Sequence, residues 1–338
     1  MDDKRFDNDG NANGQANSQP SWPNDTASGT NSPDWHTVPT FNNHYGEPPR
    51  RRFPWVRIAL ILIALGVGLY AAGTFSGARG GGGPASTEPG AFQRINVNVS
   101  SSRVLILPGD SYRVVVPTGR TAPTVNVANG ELTIASRPQG RVVHFGINTS
   151  PADHEIRVYL PAGHDLDRIQ VRTSSGRIQI DGANADYINA NSSSGRVEVS
   201  NLVAAPSRVN LRSSSGRISM ENAEVAGDLT LQTSSGRIEL DRVAWGDLSA
   251  RTSSGNINIA RGREGTTGGS TTLQTSSGSV NVEIAGSRND YRYVLNTSSG
   301  SMRVDGERYQ GRNASGGNGS DEISIRTSSG SIRLDFTR

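Results

Sequence analysis

Serine and glycine recur together in this chain in a pattern that could mark a nucleophile. A Ser or Thr followed by Ser-Ser-Gly ends at Gly176, Gly195, Gly216, Gly236, Gly255, Gly278, Gly300 and Gly330. Nucleophile elbows and phosphate-cradling loops draw on the same two residue types. An activated serine, however, needs a base within hydrogen-bonding reach and a third group that orients the base. The repeats contain no histidine, because His36, His44, His144, His154 and His164 all precede the first of these glycines. Near-identical serines written eight times are also a poor design for one active site. The Ser-Ser-Gly stretches are therefore predicted to be structural corners, and no catalytic residue is assigned.

Metal and thiol chemistry find equally little support. The chain has no cysteine, which removes disulfides, Cys-ligated zinc and thiol catalysis. His144, His154 and His164 lie ten residues apart, near Asp153, Asp165 and Asp167, but this spacing matches no helical or finger-type ligand set. They are expected to be ordinary surface histidines, and neither a metal nor a cofactor is predicted.

Arginine is the more suggestive residue. Lys4 is the only lysine, and the formal charge is just +3. Arg177, Arg196, Arg217 and Arg237 each follow a corner glycine, and then give way to Asn256, Ser279, Ser301 and Ser331. A stacked row of guanidinium groups suits phosphates, acidic glycans, lipid headgroups or acidic peptides. The competing reading pairs the row with Glu198 and Glu239, two residues beyond a corner arginine, and with Asp181, Glu221 and Asp241, four beyond. Pairing is the preferred reading, and the row stays the one candidate ligand surface. No basic block with interleaved aromatics is present, so nucleic acid is not an expected partner.

The elements that would position these residues follow from periodicity. The corner glycines are separated by 19, 21, 20, 19, 23, 22 and 30 residues, a period near twenty that signals a solenoid. Seven and five residues before each glycine stand mostly apolar side chains, such as Ile169 and Val171 or Val209 and Leu211. Two and four after it stand others, such as Ile178 and Ile180 or Ile332 and Leu334. Polar residues fill the positions between, which is the alternation of strands with one buried face. Each coil is thus strand, corner, strand and connector. The glycine is expected to supply a backbone conformation denied to other residues, and the serines to bond backbone groups freed at the bend. The Ser or Thr three before the glycine points inward by parity, where the hydroxyls are expected to stack on one another. Coils spaced by about 4.8 Å place the first and last corners roughly 34 Å apart. The final coil, close to Arg338, is expected to leave an open strand edge.

The fold class is therefore all-β, a solenoid of about twenty-residue coils over 166–338, led by a β-rich cap over 91–165. Within the cap, VSSSRVLI (99–106) and VANGELTI (127–134) read as worn copies of the repeat. Residues 76–90 are Gly-rich and read as a tether. The run IALILIALGVGLYAAGTF (58–75) has no charge and just the length to cross a bilayer. Arg50, Arg51, Arg52 and Arg57 precede it, so the positive-inside rule puts the N-terminus in the cytoplasm and the solenoid outside. A cleaved signal would not follow so long a polar stretch. Residues 1–57 lack periodicity and read as a disordered tail.

The segment LPAGHDLDRIQV (160–171) running into TSSGRIQI (173–180) resembles a bacterial β-strand-repeat family known as "putative adhesins", a domain of unknown function. The resemblance covers about 91–338. It implies a cell-envelope β-solenoid, with some relatives tied to envelope-stress and antimicrobial-peptide responses, and it carries over no catalytic residues. Relatives often place an acidic residue where this chain has the four corner arginines. The expectation is a membrane-anchored binding or adhesion module. A scaffold self-associating through solenoid ends is the alternative, and an envelope glycan-active enzyme is the weakest reading.

Overall fold

The computed structural model describes residues 84–119, 122–136, 155–264 and 269–337. The tail, the apolar run 58–75, His144 and His154 lie outside the described residues. Among the described residues no helix is long and apolar enough to cross a membrane.

The domain is all β. Two parallel ladders run the length of a solenoid, one built from strands before the corners and one from strands after them. In the first, Leu132, Ile95, Ile169, Ile188, Val209, Leu229, Leu248, Thr271, Ile323 and Tyr293 are successive in-register partners. In the second the column runs Ile156, Val104, Ile178, Val197, Ile218, Ile238, Ile257, Val280, Ile332 and Met302. All of these are buried, so the alternation read from the sequence does define the core. Thr271 breaks the first column because Trp245, fully buried one coil away, donates its indole N–H to the Thr271 hydroxyl at 2.9 Å. A buried indole requires such a partner.

The order of those columns differs from the order of the sequence. The strand Asp321–Thr327 lies between Ser270–Gln274 and Tyr291–Thr297. Its companion Ile332–Thr337 lies between Val280–Ala285 and Met302–Val304. The last coil of the chain is thus the penultimate coil of the stack. The other end repeats the device: Arg94–Val99 and Arg103–Gly109 sit inside, and Glu131–Ala135 and Glu155–Pro161 sit outside them. The open edge expected near the C-terminus does not exist, because that coil is paired on both sides.

Short antiparallel strands cover the outermost coils. Asn313–Gly316 pairs with Tyr291–Thr297, and Glu307–Tyr309 pairs with Met302–Val304. At the opposite end Thr124–Ala128 covers Glu131–Ala135, and Arg113–Val116 covers Glu155–Pro161. VANGELTI is thereby a hairpin rather than a worn coil, since Asn129 and Gly130 both take positive φ (51° and 70°), the turn that suits two antiparallel strands. VSSSRVLI does form a corner, directly against the first Ser-Ser-Gly coil. Within the expected tether, Ala85–Thr87 is a strand paired with Arg113–Val116.

Five consecutive coils also turn a second corner, which the periodicity did not reveal. Six residues after the glycine, Gly182, Asn201, Asn222, Arg242 and Arg261 take φ between 49° and 63°. Asparagine and glycine tolerate this left-handed region, whereas arginine does so at a cost. Here the two arginines are held by ion pairs, Arg242 with Glu221 and with Asp241 (2.9 Å), and Arg261 with Asp241 (2.9 Å).

Candidate functional site

The Ser-Ser-Gly corner is a backbone stack. Positive φ occurs at none of the eight corner glycines, so conformational freedom is not what selects them. Close approach is. A Cβ on Gly195 would lie 1.8 Å from the Gly176 carbonyl oxygen, and each corner glycine meets the coil beside it in the same way. The two serines bond through the backbone: the N–H groups of Ser193 and Ser194 both donate to the Ser174 carbonyl (3.1 and 2.9 Å), leaving the side chains exposed.

The inward hydroxyl has a specific task. Thr233 Oγ1 accepts from the Gly236 N–H at 3.1 Å and donates to the Gly216 carbonyl of the neighbouring coil at 3.3 Å. Ser213 does the same with Gly216 (2.9 Å) and Gly195 (3.0 Å). These hydroxyls satisfy backbone groups rather than one another, as buried polar groups must be satisfied somewhere.

The four corner arginines are shared out among glutamates. Arg177 and Arg196 both reach Glu198 Oε1 (3.3 and 3.2 Å), and Arg217 and Arg237 both reach Glu239 (3.3 Å each). Asp181, Glu221 and Asp241 serve the second corner instead; Asp181 accepts from Ser200 at 2.7 Å. The row named by sequence is thus a half-neutralised ladder.

A different set of arginines lies on the other flank of the corner, four residues before the glycine. Its in-register column is Asn98, Arg172, Asn191, Arg212, Gln232, Arg251, Gln274, Arg326 and Asn296. Every arginine is exposed and has an amide side chain on both sides. Among the described residues none of the four has an ion pair or a side-chain hydrogen bond. The half-buried, outward-facing column two residues nearer the strand start is neutral too, with Gln170, Asn189, Asn210, Thr230, Ser249, Thr272 and Ser324. Spacing explains why this column survives without acids. Two unit charges about 10 Å apart in water repel by roughly 0.4 kcal/mol, against about 0.9 on adjacent strands about 4.8 Å apart. The corner row occupies adjacent coils and carries glutamates; this column skips a coil and carries none. Asn98, Arg172, Asn191, Arg212 and Gln232, with Ser174, Ser193 and Ser234, line one shallow groove beside the corners.

The model of the Toastrack DUF4097 family matches residues 92–335. The chain belongs to this family. Three solved structures are similar to it. A "putative adhesin" from Bacteroides fragilis is 13% identical with a TM-score of 0.46, over 75% of this chain and 96% of that one. A "putative cell adhesion protein" from Clostridium sporogenes is 12% identical with a TM-score of 0.21, over 75% and 100%. A "putative adhesin" from Parabacteroides merdae is 9% identical with a TM-score of 0.24, over 77% and 98%. No curated protein sequence matches this chain significantly.

Within the Toastrack domain His164 is not the surface residue expected from sequence. It is buried, its Nδ1 donates to the Pro161 carbonyl (2.8 Å), and its Nε2 accepts from the Asn184 N–H (2.7 Å). The Nδ1 bond closes the local turn, and the Nε2 bond joins it to the next coil. Among the described residues no group of three or more His, Asp or Glu side chains could hold a metal. The end of the domain that carries the C-terminal cap is closed by aromatics: Tyr291 stacks on Phe336 at 5.3 Å, and Arg288 binds the Tyr293 and Tyr309 hydroxyls. Burial pushes the Tyr293 phenol up to about 12.

The hydroxyl ladder yields one prediction. Thr233→Val keeps shape and volume but strands a buried N–H and a buried carbonyl, so chemical denaturation should show a loss of about 2–4 kcal/mol. Thr233→Ser, which copies the residue found at Ser192 and Ser213, should stay within about 1 kcal/mol of the parent. Equal costs for the two variants would show that methyl packing, not the bridge, holds the corner.

Proposed function

We propose that this Toastrack protein is a binding module of the bacterial cell envelope, held to the cytoplasmic membrane by residues 58–75 with its N-terminus inside and its solenoid outside. The observation that carries this reading is the outward ladder face beside the corners, where a neutral polar surface borders an exposed arginine column that has no carboxylate partner among the described residues. Such a face is preorganised by in-register backbone pairing, so it can engage an extended partner without first paying an ordering cost. Adhesion is the general class; no step of covalent chemistry is assigned to any residue. The paired and capped ends favour this reading over a scaffold polymerising through its coils.

The test uses the full-length protein in detergent micelles and isolated cell envelopes. Saturable sedimentation of the protein with envelopes is expected, together with a single species over a wide concentration range in its absence. Lack of retention would refute the binding role, and assemblies that lengthen with concentration would favour the scaffold.

A further inference from the structure

The alternation of arginine and amide holds through to the last member only in the stacked order of the coils. Along the sequence the last two members read Asn296 and then Arg326; in the ladder Arg326 precedes Asn296, because the terminal coil is inserted one place inward. The insertion restores a regular pattern over the whole column. Neighbouring arginines are two strands apart, about 10 Å, and the four span about 29 Å along the solenoid axis.

We propose that this column binds a linear acidic glycan that carries one carboxylate on every second sugar and lies along the solenoid axis. The proposal deepens the binding-module reading and rests on it. One disaccharide of an extended chain advances by a length close to the arginine spacing, so successive carboxylates would meet successive guanidiniums. Guanidinium forks match carboxylate geometry with two parallel hydrogen bonds. The intervening amides offer both a donor and an acceptor, as do the exposed corner serines, which suits the hydroxyls of the uncharged sugars. The face lacks what two other polyanions would ask for. It has no row of aromatics on which bases could stack, and its only large exposed apolar side chain is Val294, so a bilayer would find nothing to take up. The two glutamates that half-neutralise Arg177, Arg196, Arg217 and Arg237 lie on the other flank of the corner, which leaves this column the stronger anion site.

The test is a titration of the full-length protein in micelles with hyaluronan octasaccharide, which has one carboxylate per disaccharide. A neutral dextran fragment of equal length and phosphatidylglycerol vesicles form the comparison arms. Binding to hyaluronan alone is expected. The variant R172Q/R212Q/R251Q/R326Q should bind at least about 100-fold more weakly, whereas R177Q/R196Q/R217Q/R237Q should change affinity less than about threefold. Glutamine already occupies this column at Gln232 and Gln274, so the first variant should melt like the parent. R212Q/Q232R keeps the charge and moves it by one coil; it should lose as much affinity as R212Q. Parental affinity in R212Q/Q232R, equal binding of dextran, or stronger binding of vesicles through the same arginines would each overturn the proposal. Envelope retention unaffected by the fourfold column variant would leave the binding module standing and remove this site from it. Hyaluronan binding without envelope retention would do the reverse.

Discussion

Gly216→Ala is expected to cost more than about 4 kcal/mol, or to prevent folding outright, although it adds a single methyl group. That Cβ would lie 1.9 Å from the Gly195 carbonyl oxygen, 2.5 Å from its carbon and 2.8 Å from the Ser213 hydroxyl. No flexible side chain is available to yield. Relief requires the two coils to part, and parting breaks the bonds from the Ser214 and Ser215 N–H groups to the Ser193 carbonyl, each 3.0 Å. The Ser213 bridge to the Gly195 carbonyl fails with them. The informative comparison is Gly163, whose φ of 78° would strain an alanine but whose Cβ would meet nothing within 4 Å. Gly163→Ala should cost about 1–2 kcal/mol, the ordinary penalty of a left-handed L-residue. Denaturant midpoints for the two variants check this. A Gly216→Ala protein no less stable than Gly163→Ala would mean that the corner selects glycine by conformation after all.

Ending the chain after Ser320 is the second large perturbation. In a solenoid laid down in sequence order, it would remove one terminal coil and leave the others intact. Here it removes a coil from inside the stack. Ile323, Ile325, Ile332 and Leu334 are all buried, and their burial alone is worth roughly 6–12 kcal/mol. The outermost coil, Tyr291–Thr297 with Met302–Val304, loses its parallel partner. Ser270–Gln274 and Val280–Ala285 become bare edges at the same time. Hydrogen exchange should therefore show residues 291–316 unprotected and 270–285 weakened, with aggregation through the new edges. Retained protection over 291–309 would contradict the inserted order.

Much of this architecture was legible in the sequence because alternation is local. Residues two apart along one strand share a face whatever the coil packs against. Ile178 and Ile180, or Val209 and Leu211, could thus be placed in the core, and Thr233 turned inward, without a structure. The corner glycines were located correctly but for a different reason, since a clash between backbones of neighbouring coils cannot be seen within one coil. The second corner was missed because its column mixes Gly182, Asn201 and Asn222 with Arg242 and Arg261, and the arginines owe their φ to carboxylates one coil away.

The order of the coils is where sequence periodicity ceases to inform. Parallel strands of one repeat offer nearly the same ladder to any other repeat, so the pattern does not name the neighbour. One signal was present: the step from Gly300 to Gly330 is 30 residues, long enough to hold the antiparallel cap and still return the chain to the inner position. The standing of the arginines follows from that order. Sequence alone determined an all-β solenoid with an inward hydroxyl and a glycine at every corner, since those depend on parity within a coil. Tertiary structure alone decided which arginines share a glutamate and which have no carboxylate partner among the described residues, because a guanidinium's partners come from the strands about 4.8 Å to either side, and those strands need not be neighbours in the chain.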